Sequence, residues 1–284
     1  MLHAFSVDVE DYFQVLNFAR RLPREDWAKM PSRVVANTQR VLNLLDEHQV
    51  RGTFFVLGCV AREHPGLVRD IAARGHEVAS HGMSHRALHD LDPASFLVEA
   101  GDSRRLLEDL AGAPVRGFRA PSFSITRKTW WALDALLEAG YAWDSSIFPV
   151  RHPDYGVPDA PRDIHVVHEA GGRQLIEFPM ASARVVGCTL PVSGGGYFRV
   201  LPYAVTRFGL RRIARERPFV FYLHPWETDP EQPDLRHCAS RLGALRHYTG
   251  LRRTMPRLQR LLQEFRFTTV SEVIRAGIKP GANS

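Results

Sequence analysis

The sequence predicts an α/β fold, a closed or nearly closed β/α barrel of parallel strands, and three observations carry that expectation. Short apolar runs alternate with segments of helical period almost from end to end. About seven such units follow one another without an internal repeat or low-complexity linker, which favours a barrel over an open doubly wound sheet. The residues able to do chemistry recur just after the strand-like runs, and in a barrel those strand ends open onto one face. With 284 residues, 44% hydrophobic and 24% charged, the chain can bury a full core, enough for one large α/β domain or two small ones. The unbroken series reads as one domain over residues 1–284, with 229–284 a helical, arginine-rich extension packed on the barrel.

The elements follow in order. Residues 2–9 read as the first strand, and Val34, Val35, Thr38, Val41, Leu42 and Leu45 recur at helical spacing. Residues 52–58 form a buried strand bounded by glycines, followed by a helix over 65–73. Val78 and Ala79 end a third short strand. Asp92 and Pro93 give an N-cap with proline at N1 for a helix running to about Leu110. Residues 115–119 are strand-like; Thr126 caps a helix over 130–139, which Gly140 ends before a short strand at 141–143. Residues 148–193, rich in Pro, His and Asp, predict loops and hairpins with strands at 175–178 and 183–188. An amphipathic helix over 202–215, a strongly apolar strand at 219–223, a helix over 255–265 and a last strand near Phe267 complete the series.

The net charge of +6 is mild, and much of it sits late, at Arg236, Arg241, Arg246, Arg252, Arg253, Arg257, Arg260 and Arg266. Such a patch could meet phosphate, an acidic glycan or an anionic lipid surface; the plain alternative is the solvated face of helices. No zinc finger, RNP-type aromatic motif or basic zipper accompanies it, so no nucleic-acid partner is expected. Cys59, Cys188 and Cys238 are odd in number and widely spaced, against a disulfide framework or a four-cysteine zinc site. Neither a basic and apolar leader nor a run of about eighteen apolar residues is present, which predicts a cytoplasmic protein, with the inner membrane face the place for a peripheral contact.

The chemistry centres on residues 75–86, where His81 and His85 stand four residues apart, a spacing that stacks two imidazoles on one side of a helical turn. Two rings on one face can hold one metal ion; the alternative is a pair of surface histidines. Gly82 follows the first histidine, so the base of an HExxH site is absent and must come from elsewhere. Asp8, Glu10 and Asp11 end the first strand, Arg119 the fourth, Asp144 the fifth, and His224 the strand at 219–223. Two histidines, one carboxylate and an open position suit catalytic zinc, and also some iron and cobalt sites. Alternation puts Asp8 and Glu10 on one face, giving Asp8 as general base, Glu10 as metal ligand, and Asp11 as competing ligand where the strand has ended. His224, in an apolar setting, is the general acid or a core histidine; Arg119 orients a catalytic carboxylate or makes a structural pair; Asp144 holds the His224 ring or caps the next segment. Gly194, Gly195 and Gly196 lack the Lys-Ser/Thr of a phosphate loop and read as a flexible loop near the site. Trp130 and Trp131 suit a helix core, and Trp226 a stacking contact with a sugar ring.

Five ordered motifs resemble the polysaccharide deacetylases of the NodB-homology type, the carbohydrate esterase family with a distorted (β/α)7-type barrel. They are Ser6-Val7-Asp8-Val9-Glu10-Asp11, Ser80-His81-Gly82-Met83-Ser84-His85, Arg119-Ala120-Pro121, Asp144-Ser145-Ser146 and Leu223-His224. The run from Asp8 to Phe13, residues 194–199 and the arginine-rich tail resemble the subfamily of exosortase-linked exopolysaccharide loci. The resemblance implies zinc, or cobalt, at Glu10 or Asp11 with His81 and His85, and Pro121, Leu223 and Trp226 against the substrate. It implies hydrolysis of an N-acetyl group on hexosamine units of an exopolysaccharide or a lipid-linked precursor: water activated by the metal attacks, a backbone N–H helps hold the oxyanion, and His224 protonates the amine. One departure stands out: the usual motif has adjacent aspartates, whereas Val9 follows Asp8 here. Two other readings remain open, a hydrolase of small amides or ureides on the same barrel and an inactive glycan-binding module.

Overall fold

Polar and apolar side chains alternate along β1 (His3–Val9), and that alternation organises the sheet. Phe5, Val7 and Val9 enter one apolar layer, while Ala4, Ser6 and Asp8 face the other side. In a computed structural model, which describes residues 1–15, 18–19, 21–152, 155–185 and 188–277, β1 lies between β2 (Thr53–Val56) and β10 (Val220–Leu223). The sheet continues through β3 (Glu77–Ser80), β4 (Gly117–Phe118), β5 (Trp143–Asp144) and β7 (Arg173–Glu177) to β6 (His165–Ala170), and β11 (Phe267–Thr268) adds to the start of β1. The pairings along this order are parallel except that of β6 with β7. Among the described residues the sheet is not closed: its edges are β10 and β6. Arg119, just after β4, reaches across the inner face and bonds Asp8 on β1 at 2.7 Å.

α1 (Val34–Glu47), α2 (Gly58–Glu63), α3 (Pro65–Ala73), α4 (Pro93–Ala111) and α5 (Ala132–Glu138) lie between successive parallel strands in the chain. Their apolar stripes pack on the outer layer that includes Phe54, Val56, Phe118, Phe221 and Leu223. α6 (Gly195–Val200), α7 (Tyr203–Ile213), α8 (Arg241–Tyr248) and α9 (Leu251–Glu264) follow. α10 (Val270–Gly277) sends Val270, Val273 and Ile274 into the inner layer with Phe55, Trp143 and Tyr222. No helix among the described residues is long and apolar enough to cross a membrane.

Several elements depart from the sequence expectation. The segment 183–188 is part of an antiparallel hairpin, β8 (Ser182–Val185) with β9 (Cys188–Pro191), and the two residues between them lie outside the described set. Thr126 caps a 3-10 turn at Arg127–Thr129, and the α-helix starts later, at Ala132. The glycine run is not a flexible loop: Gly194 pairs with Tyr222, and α6 begins at Gly195. Gly194 has φ 134, and a Cβ there would stand 1.8 Å from the Tyr222 carbonyl oxygen, so only glycine permits this approach.

One carboxyl group sets the start of a helix. Asp11 accepts hydrogen bonds from Ser32 Oγ (2.7 Å) and from the N–H groups of Arg33 (2.9 Å) and Val34 (3.2 Å), satisfying donors at the start of α1. Asp11→Ala should cost about 1–2 kcal/mol in denaturant unfolding; an unchanged midpoint would show that the cap is dispensable.

Asp144 and Glu177 are register partners on β5 and β7, both fully buried. Burial, then the Asp144 charge, pushes Glu177 well above the usual carboxylate range, so the pair keeps a proton on Glu177. The Glu177 carboxyl also accepts from the Ile147 N–H at 3.0 Å. The folded state holds this proton more tightly than the unfolded chain does. Its contribution to stability is therefore full below the ordinary carboxyl value of 4.5 and is lost as pH rises towards the folded value. Glu177→Gln keeps a donor and an acceptor without the titrating proton, so its melting temperature should fall less than that of the wild type as pH rises above 4.5. Calorimetry across that range checks this; parallel curves would place the proton elsewhere.

Candidate active site

The polar residues of the inner face gather at the C-terminal ends of the strands. Asp8 and Glu10, with the parity of Ser6, enter from the end of β1, both buried. His81 follows β3, and its Nδ1 faces the Arg119 carbonyl at 2.8 Å; as the N–H donor it leaves Nε2 to bind a ligand. His85 reaches the same place by a different route from the one its spacing suggested. Residues 81–85 are not helical; Gly82 at φ 80 and His85 at φ 55 turn the loop back. The two rings stand 5.5 Å apart at 55°. His85 Nε2 lies 2.7 Å from Glu10 Oε2. One donor atom from each of Glu10, His81 and His85 falls within 4.8 Å of the others, a buried set able to hold a metal ion. Asp11 is outside this set because its parity turns it to the opposite face, where it caps α1.

Two further groups flank the trio. Arg119, itself buried, donates from Nη1 to Asp8 Oδ1 (2.7 Å) and Ser6 Oγ (2.9 Å), from Nε to the Ser145 carbonyl (2.9 Å) and from Nη2 to Ser145 Oγ (3.0 Å). His224, after β10, points Nε2 at Glu10 Oε1 (3.5 Å) and Asp8 Oδ2 (3.9 Å). Its Nδ1 contacts Glu227 Oε1 at 2.7 Å, and Glu227 Oε2 accepts from Arg199 Nε at 2.5 Å.

The charges are set by these contacts. Burial opposes ionisation of Glu10, but His85 and then His224 hold it down to about 2. Burial likewise opposes the charge on His224, which Glu10 and Glu227 raise to about 9. Glu227, buried, is held at about 2 by Arg199 and His224. Burial lowers His81 to about 4, keeping the imidazole neutral as a metal ligand requires.

Other sequence expectations need correction. Asp144 does not hold His224: its oxygens accept from Ser146 Oγ (2.6 Å) and N–H (3.1 Å), beside Glu177, and Glu227 orients the ring instead. Leu223 sits in the outer apolar layer because alternation turns Tyr222, not Leu223, into the cleft. Pro121 is buried beneath the cleft wall formed by Ala120, Ser122 and Phe123. Trp226 lines the cleft but is 4% exposed, stacked with His224 (5.4 Å) and His247 (4.3 Å), and donates to Glu10 at 3.3 Å, so its ring has no face for a sugar. Glu227 and Arg199 were missed. The signal for Glu227 was present: proline after His224 and Glu three residues on form a capping box, in which Glu227 also accepts the His224 N–H at 3.1 Å.

Comparison with known proteins identifies the family. The family model described as Polysaccharide deacetylase matches residues 27–141, and Domain of unknown function (DUF3473) matches residues 145–275. A chitooligosaccharide deacetylase of Bradyrhizobium sp. (strain ANU 289) is 30% identical over 173 residues, 59% of this chain and 76% of that protein. One from Sinorhizobium fredii is 41% identical over 87 residues, 30% of this chain and only 40% of that protein. Among solved structures, a polysaccharide deacetylase, so described, from Mycobacterium smegmatis shares the fold with TM-score 0.61 and 22% identity, covering 97% of this chain and 89% of that one. The Puue allantoinase has the same fold at TM-score 0.60 and 16% identity, over 96% and 89%. The chain belongs to the polysaccharide deacetylase family.

Proposed function

We propose that this chain is a metal-dependent hydrolase that removes N-acetyl groups from hexosamine units of an exopolysaccharide or its lipid-linked precursor. The observation that carries the reading is the placement of Asp8 and His224 beside the Glu10, His81 and His85 donor set, with His224 Nε2 3.9 Å from Asp8 Oδ2 and 3.5 Å from Glu10 Oε1. A divalent ion held by those three, zinc by donor chemistry and cobalt as a substitute, would supply Lewis acidity to the acetyl carbonyl and to water. Asp8 is the base. Arg119 occupies its Oδ1, leaving Oδ2 to take a proton from the attacking water. His224 is the acid: Glu227 fixes Nδ1, so Nε2 faces the site and delivers its proton to the departing amine nitrogen.

The N-deacetylating names of the relatives support the reaction class. The exosortase-linked placement rests on the residue resemblance in the acidic and glycine motifs. We read residues 1–284 as one domain, and the arginines of the C-terminal helices, with Phe208 57% exposed beside Arg207 and Arg211, as a peripheral contact with the inner membrane face.

Purified protein should release acetate from N-acetylhexosamine oligosaccharides, lose that activity on chelation and regain it with zinc or cobalt. Ureide turnover by chelated protein without acetate release would overturn the reading. Asp8→Asn should lower kcat by about 10²- to 10⁴-fold while metal content stays unchanged; full activity in that variant removes Asp8 as base. Glu227→Gln should lower kcat by about 10- to 100-fold with KM little changed, and should lower the melting temperature because buried Arg199 loses its counter-charge. A rise in KM alone would move Glu227 from orienting His224 to holding substrate.

A further inference from the structure

The cleft continues beyond the catalytic pair to a wall with a different chemistry. Past Tyr222 it is lined by Tyr155, His152 and Arg246, in a cavity of ≈ 150 Å³. Tyr155 stacks on His152 (3.8 Å) and Phe148 (5.7 Å), which fixes its ring. Arg246 comes from α8. Its guanidinium lies 5.5 Å from the Tyr197 ring and lines the cleft beside Tyr155. It passes beside Gly196, where a Cβ would come within 3.3 Å of Arg246 Nε. Burial raises the phenols of Tyr155 and Tyr222, so both remain protonated and able to donate.

Charge matching singles out Arg246. In the rest of the cleft Asp8 is met by Arg119 at 2.7 Å, Glu10 by His85 at 2.7 Å and Glu227 by Arg199 at 2.5 Å. Among the described residues no carboxylate lies within 4.0 Å of Arg246. A guanidinium held on tyrosines offers a fork of N–H donors suited to a carboxylate or phosphate. A cation–π contact alone contributes little at such a site and does not call for a position on the cleft wall.

We propose that this wall is an anion subsite. Arg246, with the Tyr155 and Tyr222 hydroxyls, receives an acidic substituent on the glycan whose acetamide faces Asp8 and His224. The glycan part of the inference rests on the deacetylase reading; the anion part does not. The acidic group is a carboxylate, as on a uronic acid, or a phosphate at the end of a precursor, and the two are separated by the probe.

The test titrates the full chain calorimetrically with glucuronate, glucose 1-phosphate and glucose. In parallel, acetate release is measured from a neutral N-acetylglucosamine tetramer and from oligosaccharides carrying a uronic acid or a phosphate. One or both acidic probes should bind more tightly than glucose, and Arg246→Gln should weaken that binding about tenfold, with partial recovery in Arg246→Lys. The ratio of kcat/KM for acidic over neutral substrate should fall about tenfold in Arg246→Gln. The probe that loses affinity identifies carboxylate or phosphate. Acid binding that depends on Arg246 without acetate release from any substrate would keep the subsite and defeat the deacetylase reading. Acetate release with the same acidic-to-neutral ratio in wild type and Arg246→Gln, and no probe favoured over glucose, would overturn the subsite and leave the deacetylase reading intact.

Discussion

The buried guanidinium of Arg119 is the interaction on which the rest of the site depends. It binds Asp8 and Ser6 on β1 and Ser145 after β5, linking strands that are not neighbours in the sheet. The carbonyl of the same residue receives His81 Nδ1 and thereby selects the nitrogen that faces the metal position. One residue therefore orients the base and one of the three metal donors. A charge so fully removed from water is tolerated only because it is paired and hydrogen-bonded; leaving it unpaired costs about 3–5 kcal/mol. The Phe55 ring, 4.0 Å from the guanidinium carbon, closes the remaining side with a surface that cations tolerate.

The acid side is built on the same plan with different parts. Arg199 donates from Nε to Glu227 and from Nη1 to the carbonyls of His247 (2.6 Å) and Thr249 (2.9 Å), so it is anchored by backbone and cannot swing away. Glu227 in turn holds His224 by Nδ1, and Trp226 lies against the ring while donating to Glu10. α6, which carries Arg199, is brought to β10 by the close approach of Gly194 to Tyr222. A glycine run without any phosphate chemistry therefore has a mechanical consequence for a histidine some thirty residues on.

What was legible in the sequence was whatever period and strand polarity determine. The parity of Phe5, Val7 and Val9 against Ser6 and Asp8 separated core from site, and Pro65 and the Asp92-Pro93 pair marked helix starts correctly. Parity also favoured Glu10 over Asp11, and Asp11 stayed a competitor only because the strand ends at Val9; the same parity would have turned Tyr222 rather than Leu223 into the cleft, but the motif was named by Leu223. The partners of buried polar groups were not legible in the same way. Asp144 and Glu227 are both acidic residues near strand ends, and which of them meets His224 depends on sheet curvature and on the 3-10 turn at Pro225–Thr228, neither of which has a period. Trp226 likewise looked free for a sugar because its stacking partner His247 arrives from α8, twenty-one positions later.

The carboxyl groups of the inner face divide into two populations, and the division follows from where positive charge is placed. Glu10 and Glu227 are as buried as Glu177, yet they stay ionised because His85, His224 and Arg199 contact them directly. Glu177 faces Asp144 across β5 and β7, with Arg119 only a weaker influence, and one proton is retained between the two acids. Burial is common to all of them, so it cannot be what distinguishes a functional carboxylate from a structural carboxyl here. The cations decide, and they are supplied at the strand C-termini by residues far apart in the chain: Arg119, Arg199 and His224. Glu10 and Glu227 keep their charge where a cation touches them. Glu177 keeps its proton because its nearest charged neighbour is the Asp144 carboxylate and Arg119 acts on it only weakly.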